Sequence, residues 1–395
     1  MNKILLMGVI LGLGYLIGKI THKIKITSVV GYILVGVLFG PHLFNLFNPS
    51  EELIHIITVG TLALIAFEIG VNISPQKIDK IGKKVVGITV FECSFTFIIT
   101  AIGMYLVTRS IIVASILGSL AAATAPASRM AIIREYRARG NLTDTVIAIV
   151  GLDDALGVTF FTITLALTKA SMNPIPITEI SLNALMEIFG PILLGVIGGL
   201  LITVLLRRFE GDEELFIGVL TAILLVSGLA EYWNIDWILA CMSLGIIFVT
   251  FSRDKAEKAK EFIQNRVLDP IFVIFFVIVG VSMEIDLLLA SAGLASIYVI
   301  SRSLGKIIGG GLGSNIFNAS GNVQKYIGIS LLSQAGVAVG LALTVSKELP
   351  NLTSGGIELG SFIVTIIAAS TIIFEIVGTI SFRYVLTKTG EANKT

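Results

Sequence analysis

The residues with the plainest capacity for chemistry are two neighbouring acids, Asp153 and Asp154, in the apolar run Val150-Gly151-Leu152-Asp153-Asp154-Ala155-Leu156-Gly157. Carboxylates in such surroundings need cations or protons beside them. Two adjacent acids titrate as a coupled unit, a property that suits exchange of protons for a monovalent metal ion. Helix neighbours point about 100° apart, so one acid can face a cavity while the other faces a partner helix. Fixed positive charge is available in Ser301-Arg302-Ser303-Leu304-Gly305-Lys306. Arg302 and Lys306 are four apart and share a helix face. A salt bridge from Asp153 to Lys306 would neutralise one acid and leave Asp154 as the metal-ion ligand, with Arg302 the competing partner. A buried lysine can also shed its proton, whereas arginine keeps it. Glu375, in Phe374-Glu375-Ile376-Val377-Gly378, is placed to share the Lys306 charge or to relay protons. Glu68 and Glu92 have weaker claims and read as polar pairing within the bundle. Glu187 reads as interfacial.

Two interruptions flank these charges. The first is Ala121-Ala122-Ala123-Thr124-Ala125-Pro126-Ala127-Ser128. Pro126 has no N–H and breaks a helix, and backbone groups freed inside a membrane are tolerated only within protein or beside a cavity. Thr124 and Ser128 add hydroxyl oxygens for an ion. The second is Ser330-Leu331-Leu332-Ser333-Gln334-Ala335-Gly336, where Gln334 and Gly336 weaken an apolar run. One interruption precedes the Asp153-Asp154 pair and the other precedes Glu375. Matching interruptions in two halves of a chain point to the ion site of a secondary transporter.

The elements that must hold these residues are membrane helices. Of the 395 residues, 55% are hydrophobic and 14% charged, against roughly 25% charged in soluble domains. Mean hydropathy is +0.94. That excludes a soluble enzyme, and a net charge of +1 offers no footprint for nucleic acid. Cys93 and Cys241 sit in apolar runs and read as packing residues. About 20 apolar residues span a bilayer, and thirteen candidates lie near 3–21, 27–44, 52–73, 85–107, 111–134, 143–168, 184–206, 214–231, 234–251, 269–284, 288–312, 325–346 and 358–384. The first reads as a mature helix rather than a signal peptide. Basic residues cluster in alternate loops, including Lys19, Lys23 and Lys25; Lys77, Lys80, Lys83 and Lys84; Arg134, Arg137 and Arg139; Arg207 and Arg208; and 253–266. The positive-inside rule then puts the N-terminus outside and the C-terminus in the cytoplasm, as an odd number of spans requires. The two interrupted spans enter from opposite sides, which makes the repeat inverted. The charged segment Ser252–Leu268 reads as a linker or a surface amphipathic helix. The Gly309–Gly313 run lies in an apolar span and is not read as a nucleotide loop.

With these features in hand, the chain resembles the second branch of the monovalent cation/proton antiporter superfamily, in its forms without a nucleotide-binding domain. The resemblance covers nearly the whole sequence. It is carried by Val29-Val30-Gly31-Tyr32-Ile33-Leu34-Val35-Gly36 with Gly40-Pro41, by Thr124–Ser128 leading into Arg134-Glu135-Tyr136-Arg137-Ala138-Arg139-Gly140, by Asp153-Asp154, and by Lys306. Asp269-Pro270-Ile271-Phe272 with Gly280, and Gln334-Ala335-Gly336-Val337, are further echoes. The resemblance implies an all-α polytopic membrane protein of thirteen transmembrane helices with inverted repeats and two crossing broken helices. It implies one membrane unit over 1–395 in which 85–168 and 288–384 are ion-translocating core helices. Segments 1–73 and 184–284 are then dimerisation, scaffold and linker helices of a homodimer working by an elevator-like motion. It implies Asp154 as the main ion ligand, Asp153 paired with Lys306, and two protons exchanged per sodium.

The reading is a sodium/proton antiporter of the cell membrane, working by alternating access. It is a transporter rather than an enzyme, with monovalent cations and protons as cargo, no resident cofactor, the lipid bilayer as surroundings and no nucleic-acid partner. A potassium/proton antiporter or potassium efflux transporter is the alternative. A cation channel is a poorer fit, because no selectivity-filter pattern is present.

Overall fold

A computed structural model describes all residues except 1–2, 24–26, 74, 173–176, 207–210, 335, 350–352, 355–356 and 393–395. Lys25, Arg207, Arg208 and Ala335 therefore lie outside the described residues, as do the side chains of Lys77, Lys80, Arg134, Glu187 and Asp269. The chain is almost wholly helical: α1 (Lys3–Lys23), α2 (Ser28–Phe39), α3 (Glu51–Asn72), α4 (Pro75–Thr108), α5 (Ile111–Ala122), α6 (Pro126–Glu135), α7 (Asn141–Met172), α8 (Ile177–Leu205), α9 (Asp212–Tyr232), α10 (Trp237–Phe251), α11 (Arg253–Phe262), α12 (Leu268–Val281), α13 (Ile285–Ala290), α14 (Ala292–Ile316), α15 (Gly321–Ser330), α16 (Gly336–Glu348) and α17 (Leu359–Thr389). A two-residue antiparallel pair, Thr353–Ser354 with Ile357–Glu358, precedes α17.

Each of the thirteen expected segments contains helix. Three of them are divided, 111–134 at 123–125, 288–312 at Ser291 and 325–346 within 331–334. Five helices are long and apolar enough to cross a bilayer by length and composition: Glu51–Asn72, Gly82–Thr108, Asn141–Ser171, Asp212–Tyr232 and Leu359–Thr389. Six shorter apolar helices accompany them. Gly82, at φ 82°, sits in the left-handed region that a side chain resists, and it separates the apolar part of α4 from the charged turn before it. Ser252–Leu268 forms α11 and a π-helical turn, Ile263–Val267, before α12 begins.

The chain divides into two compact units. One comprises His55–Lys80 and Val158–Ile271. Within it α10 packs between α8 and α9. Asp236 caps α10 by accepting from Leu239 N at 2.7 Å, and Thr162 Oγ1 donates to the other Asp236 oxygen at 2.7 Å. Gln264 in the π turn donates to Glu68 on α3, so Glu68 is a structural pairing group here.

The other unit comprises Met1–Ile54, Ile81–Gly157 and Phe272–Thr395. It holds both broken helices and all the charged residues of the site below. In it α14 packs against α4 through small residues four apart, the spacing that lets two helices approach closely in lipid. A Cβ added at Gly305 would sit 2.7 Å from Thr96 Cα, and one at Gly309 would sit 3.0 Å from Phe95 Cβ. The glycine run is thus a helix-packing seam, and it carries Lys306 onto α4. At the other end of the unit Glu391, beyond α17, accepts from Leu142 N at 2.9 Å and Thr143 N at 2.8 Å. A negative charge there satisfies orphan N–H groups at the start of α7.

Gly305→Ala is expected to lower stability by about 1–3 kcal/mol, since the obstructing atom is backbone. Gly293→Ala, on the same helix with nothing within 4 Å of the added carbon, is expected to be neutral. Thermal unfolding of the two variants in detergent checks the pair.

Candidate functional site

The two interrupted helices meet at their breaks. α5 ends at Ala122, Ala123 is extended, residues 123–125 are outside any helix, and Pro126 opens α6 at its first position, where a missing N–H costs nothing. The break therefore precedes the proline. α15 ends at Ser330 and α16 begins at Gly336. The unwound stretches bond to each other: Ala125 N donates to Ser333 O at 3.2 Å, and Thr124 Oγ1 donates to Leu331 O at 3.3 Å. Ser333 Oγ donates to Ala125 O at 3.4 Å.

Most of the remaining carbonyls at the crossing are met by side chains from outside it. Arg302, wholly buried on α14, donates to Ala121 O at 3.0 Å, Ala123 O at 2.8 Å, Leu332 O at 2.7 Å and Ser333 O at 3.2 Å. Its guanidinium lies 4.4 Å from the Phe374 ring centre. Lys306 Nζ donates to Ala122 O, and Gln334 Nε2 donates to Leu120 O at 2.9 Å and to Tyr298 Oη at 2.8 Å. Both cations thus sit at the negative, C-terminal end of α5, where the helix dipole favours them.

The acids gather round the same point. Asp153 and Asp154 are 0% and 3% exposed on α7. Asp153 Oδ2 lies 3.5 Å from Lys306 Nζ, so Lys306 rather than Arg302 is within ion-pair reach of it. Glu92 on α4 is closer still, at 3.0 Å from Lys306 Nζ, and also accepts from Thr96 Oγ1 at 2.9 Å. Glu92, read from the sequence as a polar pairing group within the bundle, has Lys306 as its partner. Thr124 and Arg302 also face Asp153. Glu375 does not reach Lys306. Its Oε1 accepts from Ser128 Oγ at 3.4 Å, in the first turn of α6.

Arg129 has no counterpart in the sequence reading. It is 1% exposed, donates to Gly378 O at 2.9 Å and lies 5.1 Å from the Phe382 ring centre. The signal was available: a charged residue three places after Pro126 in an apolar span needs a partner. Thr124, Ser128, Pro126, Gln334 and Gly336 all fall at the crossing, with Gly336 opening α16. Among the described residues no group of three or more His, Cys, Asp or Glu side chains forms a resident metal site.

Crossed half-helices around a buried cluster of acids and fixed cations define an ion-coupled membrane carrier. The profile of the transmembrane sodium/hydrogen exchanger family matches residues 9–387, and the chain belongs to that family of multi-pass membrane transporters. Over 354 residues it is 21% identical to the ammonium/proton antiporter subunit AmhT of Alkalihalophilus pseudofirmus, covering 88% of this chain and 87% of that protein. It is 26% identical to the Na⁺/H⁺ antiporter NhaS4 of Synechocystis, covering 75% of this chain and 81% of that protein. In fold it is similar to the sodium proton antiporter MjNhaP1 of Methanocaldococcus jannaschii, with a TM-score of 0.77 over 99% of both chains at 18% identity.

Arg302→Lys cannot reproduce a planar fork reaching four carbonyls. Each stranded buried carbonyl costs about 1–3 kcal/mol, so a loss of more than about 2 kcal/mol is expected, with transport largely abolished. Thermal unfolding and vesicle flux, measured on the same preparation, check this.

Proposed function

We propose that this protein exchanges a monovalent cation, sodium in the first instance, for protons across the cell membrane by alternating access. The observation that carries the reading is the Asp153-Asp154 pair, buried where two broken helices cross, with Lys306 in ion-pair reach of Asp153. Asp154 is the acid that releases its proton to admit the cation and takes it back to expel it. Thr124 and Ser128 lie at the crossing and can supply hydroxyl oxygens. Helices within 85–168 and 288–384 form the ion-translocating part, and 1–73 with 184–284 the scaffold of a homodimer. The N-terminus faces outside and the C-terminus the cytoplasm, as the loop charges favour.

Oxygen donors suit potassium and ammonium as well as sodium. The similarity to AmhT favours testing ammonium alongside the alkali metals, and potassium/proton exchange is the second reading.

The test is proton flux in proteoliposomes with an imposed pH gradient, adding Na⁺, Li⁺, K⁺ and NH₄⁺ in turn. Sodium and lithium are expected to collapse the gradient in wild type, and Asp154→Asn to behave as empty vesicles. Activity with potassium or ammonium but not sodium would replace the first choice of cargo. Undiminished flux in both Asp154→Asn and Asp153→Asn would make the acids structural.

A further inference from the structure

Helix α17 runs beside α6, in parallel and in register. Ser128 Oγ donates to Glu375 Oε1 at 3.4 Å, Arg129 Nη1 donates to Gly378 O at 2.9 Å, and Arg383 Nη2 donates to Glu135 Oε2 at 3.2 Å. The residue numbers rise together on both helices, so one seam joins the crossing to the far end of α6. From Glu375 to Arg383 it is about 12 Å long, as the rise of an α-helix dictates. It touches both breaks: Ser128 Oγ also donates to Ala125 O at 3.4 Å, and a Cβ added at Gly378 would sit 2.7 Å from Ser333 N. Its other end reaches water, since the side chains of Arg383 and Glu135 are 16% and 31% exposed.

The interior of the seam is polar and short of partners. Thr371, Glu375, Thr379 and Arg383 stand four apart on α17 and form one row. Glu375 and Arg383 both meet α6, so Thr379 between them faces it too. Thr371, Thr379 and Arg129 are all buried. Among the described residues, nothing in the protein hydrogen-bonds to the hydroxyls of Thr371 and Thr379 or to Nε and Nη2 of Arg129. Threonines in helices commonly bond to the carbonyl one turn back, as Thr61, Thr89, Thr168, Thr203 and Thr344 do here, and as Thr387 does on α17 itself. The hydroxyls of Thr371 and Thr379 make no such bond. Buried donors and acceptors without a protein partner mark places where water is held. Neighbours in the row are about 6 Å apart along the axis, a gap that one bridging water closes.

The seam suits protons rather than metal cations. Arg129 presents N–H donors, which cannot ligate a metal ion. A proton crosses by breaking an O–H bond on one water as another forms on the next. Glu375, which Arg129 faces, offsets the guanidinium charge along the way. Ser128, Thr27 and Arg302 are the other groups facing Glu375.

Resting on the antiporter reading above, we infer that the α6–α17 seam holds a row of water that carries protons, and not the exchanged cation, between the crossing and the surface at Arg383 and Glu135. Thr379 lines that row and has no part in holding the cation.

The test uses purified full-length protein in proteoliposomes and two readouts. The first is cation-driven proton flux with Na⁺, Li⁺, K⁺ or NH₄⁺. The second is exchange of isotopically labelled cation for unlabelled cation at equal pH on both sides, which moves no net proton. Thr379→Val keeps the shape and removes the hydroxyl. It is expected to slow the first by about tenfold, the effect of one lost hydrogen bond, and to leave the second at the wild-type rate. Thr379→Ser is expected to restore the first. Equal loss of both, or no loss of either, overturns the inference while leaving the antiporter reading intact. No cation-driven flux in wild type overturns both. A measurement on wild type covers a Thr379→Val protein that does not fold. Brief X-ray irradiation turns resident water into hydroxyl radicals that mark adjacent rings. Phe382, fully buried with its ring centre 5.1 Å from the Arg129 guanidinium, is expected to be marked. Phe248, fully buried in the other unit, is expected to stay unmarked. An unmarked Phe382 overturns the inference.

Discussion

Backbone that leaves a helix inside a membrane must find its hydrogen bonds within the protein, and this requirement governs the whole site. Two helices break, at 123–125 and within 331–334, in the apolar interior of the protein. Each break frees carbonyls at a helix C-terminus and N–H groups at the next N-terminus. Crossing the breaks lets some of these groups satisfy each other, as Ala125 N does with Ser333 O. The carbonyl oxygens of residues 121–123, 332 and 333 are then met by Arg302 and Lys306. A guanidinium suits the larger task because its donors are planar, numerous and permanently charged. Once those cations are buried there, acids must follow to balance them.

The charges are thus consequences of the backbone as much as of the cargo. Glu92, Asp153, Asp154 and Glu375 come from α4, α7 and α17, and the cations from α6 and α14. A cluster assembled from five helices cannot lose one member without stranding another, because an unpaired buried charge costs far more than a paired one contributes. The seam of Gly305 and Gly309 is part of the same device, since only small residues let α14 come near enough to α4 for Lys306 to reach Glu92.

The similarity to MjNhaP1 shows that the fold can persist with little shared sequence. At 18% identity the two folds superpose over nearly their full lengths. Apolar spans tolerate exchange among Leu, Ile, Val and Phe, so identity drains away while the fold remains.

By itself the sequence determined the membrane class, the helical fold, the two interrupted spans and the placing of Asp153, Asp154, Arg302, Lys306 and Glu375 inside apolar spans. Composition, span length and the high cost of intramembrane charge are local properties, readable one segment at a time. Tertiary structure alone decided the pairing. Glu92 and Lys306 are far apart in sequence, on α4 and α14, and no spacing rule links them. Nor does one separate Arg302 as the donor to broken-helix carbonyls from Lys306 as the acids' partner, because residues a turn apart share a face and only the packed neighbours distinguish them. Arg129 was missed although its charge in an apolar run was visible. Its partner, the Gly378 carbonyl, is a backbone group that takes its place beside Arg129 only when α17 packs against α6.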